Sequence, residues 1–430
     1  MKKRLLSVFA AAVCAAASAN DYAREVLEEF LDARIAESPV RYARAAKNVA
    51  ALAAEGSPLH QYVLAVASKE PDFPRSVELA EKDVEYYLLK NKRKIAQLAE
   101  KDDNALAYYL LSLDRGDRNL LRKAARGGSV YALNELGMKL VDEVNSRKHS
   151  VLSANKKFYE SFECFSRAAG KRDPTALYNL GVCYLNGYGC TRDAAKAIEN
   201  LTRAADMNHP MAMNALGELY RDGVEVERDA AKAFALFSDS AKSGNSFGQY
   251  NYAMSLLKDS GAAGTNAAAA VSLLEKSAKQ RNVKAMNEYA KCLYDSVGVD
   301  FSATNSLEGA ELDEAKAALE KADAERARQA VAWWLHCADR LRYPDAMHNL
   351  AKCFADGRGV DRNDRAAVVW FRRAADCGHV PSMFSLAECC ENGIGGLEKS
   401  HYNANWWKTR AHAELGDRNA RIWLGSNKLK

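Results

Sequence analysis

The sequence predicts an all-α solenoid built from stacked antiparallel helix hairpins. Three observations carry this. First, the stretch Asp173–Asn208 reads as one hairpin. Leu177, Leu180, Gly181 and Tyr184 recur at helical spacing, Gly187-Tyr188-Gly189 breaks that helix, and Asp193 stands as the N-cap of a second run through Ala197, Leu201, Ala204 and Ala205. Second, the segment that starts at Pro210 repeats this pattern almost position for position. Third, the 430-residue chain holds only 8 prolines and shows no long β-branched alternation. A hairpin of this size cannot bury its apolar face alone, so a repeated one stacks on its neighbours.

Taking the Leu-Gly pair as a register mark places every repeat. The mark falls at Leu136-Gly137, Leu180-Gly181, Leu216-Gly217, Tyr252-Ala253, Tyr289-Ala290, Leu350-Ala351, Leu386-Ala387 and Leu424-Gly425, with a basic step of about 36 residues. Two steps are longer. The insertion Val141–Lys156 is polar and basic and reads as a loop; the insertion Asp300–Asp323 has its own helical pattern, extending or preceding a second helix. Around Gly261–Ala268 small residues replace the Gly-x-Gly turn.

The chain then divides into a segment 1–19, a divergent helical region 20–128, repeats over 129–418, and a capping helix with its tail at 419–430. Within 20–128, Asp21–Ala36, Val40–Glu55 and Pro58–Ser68 read as amphipathic helices. Arg75–Lys101 reads as a long charged helix or two, and Ala105–Leu113 with Asn119–Gly128 as a shortened repeat.

The first 19 residues read as a targeting signal. Lys2, Lys3 and Arg4 precede a short apolar run from Leu5 to Ala16, and Ala17-Ser18-Ala19 is a small-x-small cleavage site. A lipidated Cys14 is the rival reading, and Val13 is a poor residue to precede it. The expectation is an exported chain, periplasmic or secreted, with no membrane insertion after cleavage. Net charge is only +5 with both signs interspersed, which argues against a nucleic-acid partner.

The repeated motif resembles the Sel-one-like repeat family, relatives of the tetratricopeptide repeats. The matching residues are Ala176–Gly189 with Asp193 and Lys196-Ala197, Ala212–Gly223 with Asp229 and Lys232-Ala233, and Ala346–Gly359 with Asn363, Trp370-Phe371 and Ala374-Ala375. Glu225 departs from the pattern, replacing the second glycine of its copy. The resemblance implies a right-handed superhelix used as a non-catalytic protein-interaction scaffold, with first helices lining a concave groove. Positions two before and two after the mark are expected to escape the core and face that groove. The first set is Asn134, Tyr178, Asn214, Tyr250, Asn287, His348 and Phe384; the second includes Glu218, Lys291 and Lys352. Asparagine amides can clamp a peptide backbone and aromatics can receive side chains, whereas the plain alternative is packing between neighbouring first helices. The implied partner is a peptide or protein surface.

Candidate chemistry is sparse. Cys183, Cys292, Cys353 and Cys389 all fall three residues past the mark, so they read as packing positions. A cysteine-rich branch of the family bridges neighbouring helices once per repeat; the positions that would need the cysteine hold Leu177 and Met383. Cys183–Cys190, or Cys377 with Cys389-Cys390, stay open as bridges. No metal or cofactor is expected: Cys-x-x-Cys and His-Glu-x-x-His are absent, and His336-Cys337 with His348 and Cys353 fall on helices of different facing. The alternative to the scaffold is a penicillin-binding or β-lactamase-like envelope enzyme, because relatives of the cysteine-rich branch suggest it. Its support is Ser153–Lys156 and Ser255–Lys258, each without a Ser-Asx-Asn or Lys-Thr-Gly companion.

Overall fold

The helices start and stop where their capping residues place them. Asp193, Asp229 and Asn363 each accept the backbone N–H three residues on, at 3.0, 2.8 and 3.0 Å, and Ser400 does the same at 3.2 Å. Each thereby opens a second helix. The first helices end on Gly187, Gly223, Gly357 and Gly393, all left-handed, with φ near 70°.

The computed structural model describes residues 39–54, 58–68, 77, 86–87, 90–91, 95–96, 105–146, 150–259, 265–295 and 309–426. No strand occurs among them. Contacts divide the chain into two compact units, residues 1–252 and 253–430.

In the first unit the helices are α1 (Pro39–Ala54), α2 (Pro58–Ala67), α3 (Ala105–Arg115), α4 (Arg118–Arg126), α5 (Val130–Ser146), α6 (Val151–Ala169), α7 (Pro174–Asn186), α8 (Ala194–Asp206), α9 (Pro210–Asp222) and α10 (Ala230–Lys242), and α11 (Ser246–Asp259) carries the boundary. Consecutive helices pair as hairpins, and each of α6 and α8 also packs on the first helix of the next hairpin. One core runs from Ala45 to Leu216, so the divergent N-terminal hairpins share it with the regular repeats.

The second unit contains α12 (Thr265–Lys279), α13 (Val283–Asp295), α14 (Gly309–Leu335), a π-helical turn at His336–Arg340, α15 (Pro344–Asp356), α16 (Asp364–Asp376), α17 (Val380–Asn392), a 3₁₀ turn at Ile394–Gly396, α18 (His401–Glu414) and α19 (Arg418–Ser426). Its last hairpins close over Phe371, Leu386 and Trp407.

Within a hairpin, the small residue after the mark lets the second helix approach. A Cβ on Gly217 would stand 2.6 Å from Cε1 of Phe237, and Phe237 is fully buried. The second residue of each aromatic pair fills the core: Phe237, Trp334, Phe371 and Trp407 are buried, and their pair-mates Leu236, Trp333, Trp370 and Trp406 are half-buried.

Three expectations are corrected. The described part of the insertion Val141–Lys156 is helical on both sides rather than loop: α5 continues to Ser146, and α6 opens at Val151 on the N-cap Ser150. Its polarity marks two helices running past the core into solvent, where Glu143 pairs with Arg118 and, at 3.0 Å, with Lys157. The small-residue stretch near Gly261–Ala268 is helical from Thr265, since alanines favour helix as readily as they avoid turns. The terminal helix begins at Arg418, one residue earlier than expected. From Gly309 on, the insertion Asp300–Asp323 extends a second helix, the 27-residue α14. The expected targeting segment 1–19 and the expected helix Asp21–Ala36 lie outside the described residues, as does most of Arg75–Lys101.

Gly217→Ala should lower unfolding stability by about 1–3 kcal/mol through overpacking against Phe237, read from the midpoint of urea denaturation at unchanged slope.

Candidate interaction surface

The first helices carry two rows of residues with different fates. The row two before the mark turns inward. Asn134 is fully buried, Asn287 is 1% exposed and Asn214 is 5% exposed, so the expectation that these three escape the core is corrected. Each meets a residue of the next hairpin: Asp173 for Asn134, Asn251 for Asn214 and Asn349 for Asn287.

What covers each of them is specific. Asn134 Nδ2 donates to Oδ1 of Asp173 at 2.7 Å, and the same oxygen accepts the Ala176 N–H at 2.7 Å, capping α7. Tyr178 is half-buried and stacks on the ring of His209 at 5.2 Å between centroids; His209 Nδ1 caps α9 by accepting the Ala212 N–H at 3.3 Å. Asn214 Oδ1 accepts from Asn251 Nδ2 at 2.9 Å, while Glu218 accepts from both asparagines at 3.3 and 3.0 Å. Arg221 closes this cluster by donating to Asn251 Oδ1 at 3.1 Å. In the second unit, Asn287 Oδ1 accepts from Trp334 Nε1 at 3.0 Å and from Asn349 Nδ2 at 3.1 Å. Tyr250 is half-buried.

His348 stands in the same row and enters a longer chain. Its Nδ1 lies 2.9 Å from Ser382 Oγ, which lies 2.8 Å from Nδ1 of His379. The Ser382 backbone N–H donates to that same His379 Nδ1 at 3.3 Å, capping α17. Nδ1 is therefore the acceptor, and Nε2 carries the hydrogen toward Asp345 Oδ1, 3.1 Å away. Serine, histidine and aspartate are thus joined, yet this is a helix cap: Ser382 is fully buried and no substrate reaches its hydroxyl.

Burial, and then the neighbouring His379, push His348 down to about 4. Burial likewise lowers His379, against the opposing pull of Asp345. The groups facing His348 are His379, Lys352, Asp345 and Lys291.

The row two after the mark points outward. Lys352 and Glu388 are exposed, and Glu218 and Lys291 are half-buried; Lys291 pairs with Glu288 at 2.8 Å. Phe384 departs from its own row: it is 39% exposed and meets His412 edge-on at 5.9 Å. Among the described residues beyond α18, α19 packs on α18.

Six of the described thiols are buried as packing residues, whereas Cys377 is exposed. All nine described cysteines are free, and Cys183, Cys353 and Cys389 are buried. Burial pushes Cys183 and Cys353 up to about 12. Cys190 Sγ contacts the Cys183 carbonyl oxygen at 3.5 Å, within the hairpin turn. Among the described residues, no three His, Cys, Asp or Glu side chains converge to hold a metal. Cys337 instead contacts Met286 Sδ at 3.5 Å.

Two outcomes follow. Asn287→Ala should cost about 1–3 kcal/mol, because it strands the buried Trp334 N–H, and thermal or urea unfolding reads this directly. Both histidines are depressed in the folded state, so their contributions are complete above the unfolded value near 6.5 and are lost as pH falls below it, for His348 down to about 4. Stability should fall over that window with a slope approaching ~1.4 kcal/mol per pH unit for His348, and a His348→Gln variant should show a shallower fall in the same urea titrations.

Comparison with known proteins agrees with this geometry. A family model described as the Sel1 repeat matches residues 174–209, 210–245, 246–282, 344–379 and 380–411. Among solved structures, the chain is similar to a protective antigen of uropathogenic Escherichia coli displaying an SLR fold. That match has 22% identity and a TM-score of 0.55, covering 90% of this chain and 76% of that one. It is also similar to a Sel1 repeat protein from Oxalobacter formigenes, at 18% identity and a TM-score of 0.50, covering 65% of this chain and 96% of that one. No curated protein matches the sequence. Five hairpins with this register, over residues 174–282 and 344–411, are therefore Sel1 repeats.

Proposed function

We propose that the chain is an exported, non-catalytic scaffold that binds a peptide or protein surface along its first helices. The observation that carries this is the outward row: Lys352 on α15 and Glu388 on α17 are exposed, with the exposed Phe384 one helical turn before Glu388. Mixed charge around an exposed aromatic suits a protein surface, with the aromatic as anchor. In the first unit the corresponding face offers Met138 and Val182, both half-buried, beside Glu218.

The enzyme alternative gains nothing from the placement of its motifs. Ser153 lies in the first turn of α6, where its N–H is bound by the N-cap Ser150 at 3.3 Å. Ser255 is half-buried and Lys258 exposed, three residues apart on α11. Export rests on the residues of the targeting segment, and no described helix is long and apolar enough to cross a membrane.

A Lys352→Glu, Phe384→Ala double variant should reduce partner recovery from the native cell envelope at least tenfold, with the helical circular-dichroism signal intact. Undiminished recovery would contradict the reading. N-terminal sequencing of the mature protein from its own cells should begin at Asn20; a retained Met1 would remove the exported reading.

A further inference from the structure

A second feature of unit two lies away from the outward row. The C-terminal end of α12, the turn after it, the start of α13 and the C-terminal end of α14 enclose an open cavity of about 390 Å³, within the size range of ligand-binding pockets. Its floor and wall are apolar: Ala278 is fully buried, Met286 is 2% exposed, and Ala332 and Trp333 complete the wall. Its rim carries two cations, Lys279 and Arg281, with the imidazole of His336 beside them.

The rim charge is only partly neutralised. Lys279 pairs with Glu275 at 2.6 Å, whereas Arg281 is exposed and makes no ion pair with any described residue. Trp333 is held edge-on against Tyr289 at 5.9 Å, so its indole is fixed by packing and its remaining surface lines the cavity. The helix that presents it passes directly into the π-helical turn His336–Arg340. Such turns are rare and recur at functional sites.

We infer that this cavity is a docking site for an acidic peptide segment carrying one apolar anchor. The anchor side chain enters against Trp333, Ala332 and Met286, and flanking carboxylates meet Arg281 and Lys279. Charge complementarity selects the flanks, and the apolar floor selects the anchor. The inference rests on the scaffold reading above and names the chemistry of a partner.

The test is a fluorescence-anisotropy titration of the full chain with a fluorescein-labelled nonapeptide of glutamates and aspartates around one central phenylalanine. The same peptide with serine in place of phenylalanine reports charge alone, and a glutamine and asparagine version reports the anchor alone. Saturable binding of the first probe is expected, with each control at least tenfold weaker. Arg281→Glu should weaken the first probe tenfold or more. Ala332→Glu, at an exposed helical position, should do the same, with an unchanged thermal midpoint as the check on folding. Equal binding by the serine control, no saturation, or indifference to both substitutions would overturn the inference. The Lys352 and Phe384 variant should bind this probe normally. A chain that captures its envelope partner but ignores the peptide contradicts this site alone; a variant that keeps its partner while the peptide still binds contradicts the outward-row reading alone.

Discussion

Asp173 holds the repeat together from two directions. One carboxylate oxygen ends the unpaired N–H of Ala176 in its own helix and takes the amide of Asn134 from the hairpin before it, both at 2.7 Å. Burial pushes that carboxyl up, against the downward pull of these bonds. The same device recurs with other chemistry. His209 caps α9 under Tyr178, and His379 caps α17 while bonded to the Ser382 that meets His348. A first helix of thirteen residues is too short to persist alone. Tying its capped end to the preceding hairpin makes local order depend on stacking, as a repeat array requires.

This placement explains which parts of the molecule were legible in the sequence. The repeat register, the turn glycines and the caps Asp193, Asp229 and Asn363 were readable because each solves a problem inside one hairpin. The inward row was not. Counting along one helix places Asn134 and Asn214 off the Leu stripe, and only the next hairpin, about 36 residues on, covers them. A signal did exist: asparagines at the position just before the mark, Asn251 and Asn349, are the donors that meet Asn214 and Asn287. The loop reading of Val141–Lys156 failed for a related reason, since polarity there reflects helices paired through Glu143 beyond the core.

The division into inward and outward rows also sets what the surface can do. Substituting the inward row disturbs stacking, so a lost partner in such a variant would not identify a contact. The outward row, with Lys352 and Glu388 exposed, can vary with little effect on the hairpins. The Ser382, His379 and Asp345 chain makes the same point for chemistry. Its members are joined as in a catalytic relay, but every bond serves the start of α17.

The most direct measurement of the stacking account is native-state hydrogen exchange on an Asn134→Ala variant. The substitution lies in α5, and the account places its effect in the following hairpin. Exchange at the Ala176 amide and the first turn of α7 should accelerate, with the central amides of α5 keeping their protection. Acceleration confined to α5, with Ala176 unchanged, would contradict it.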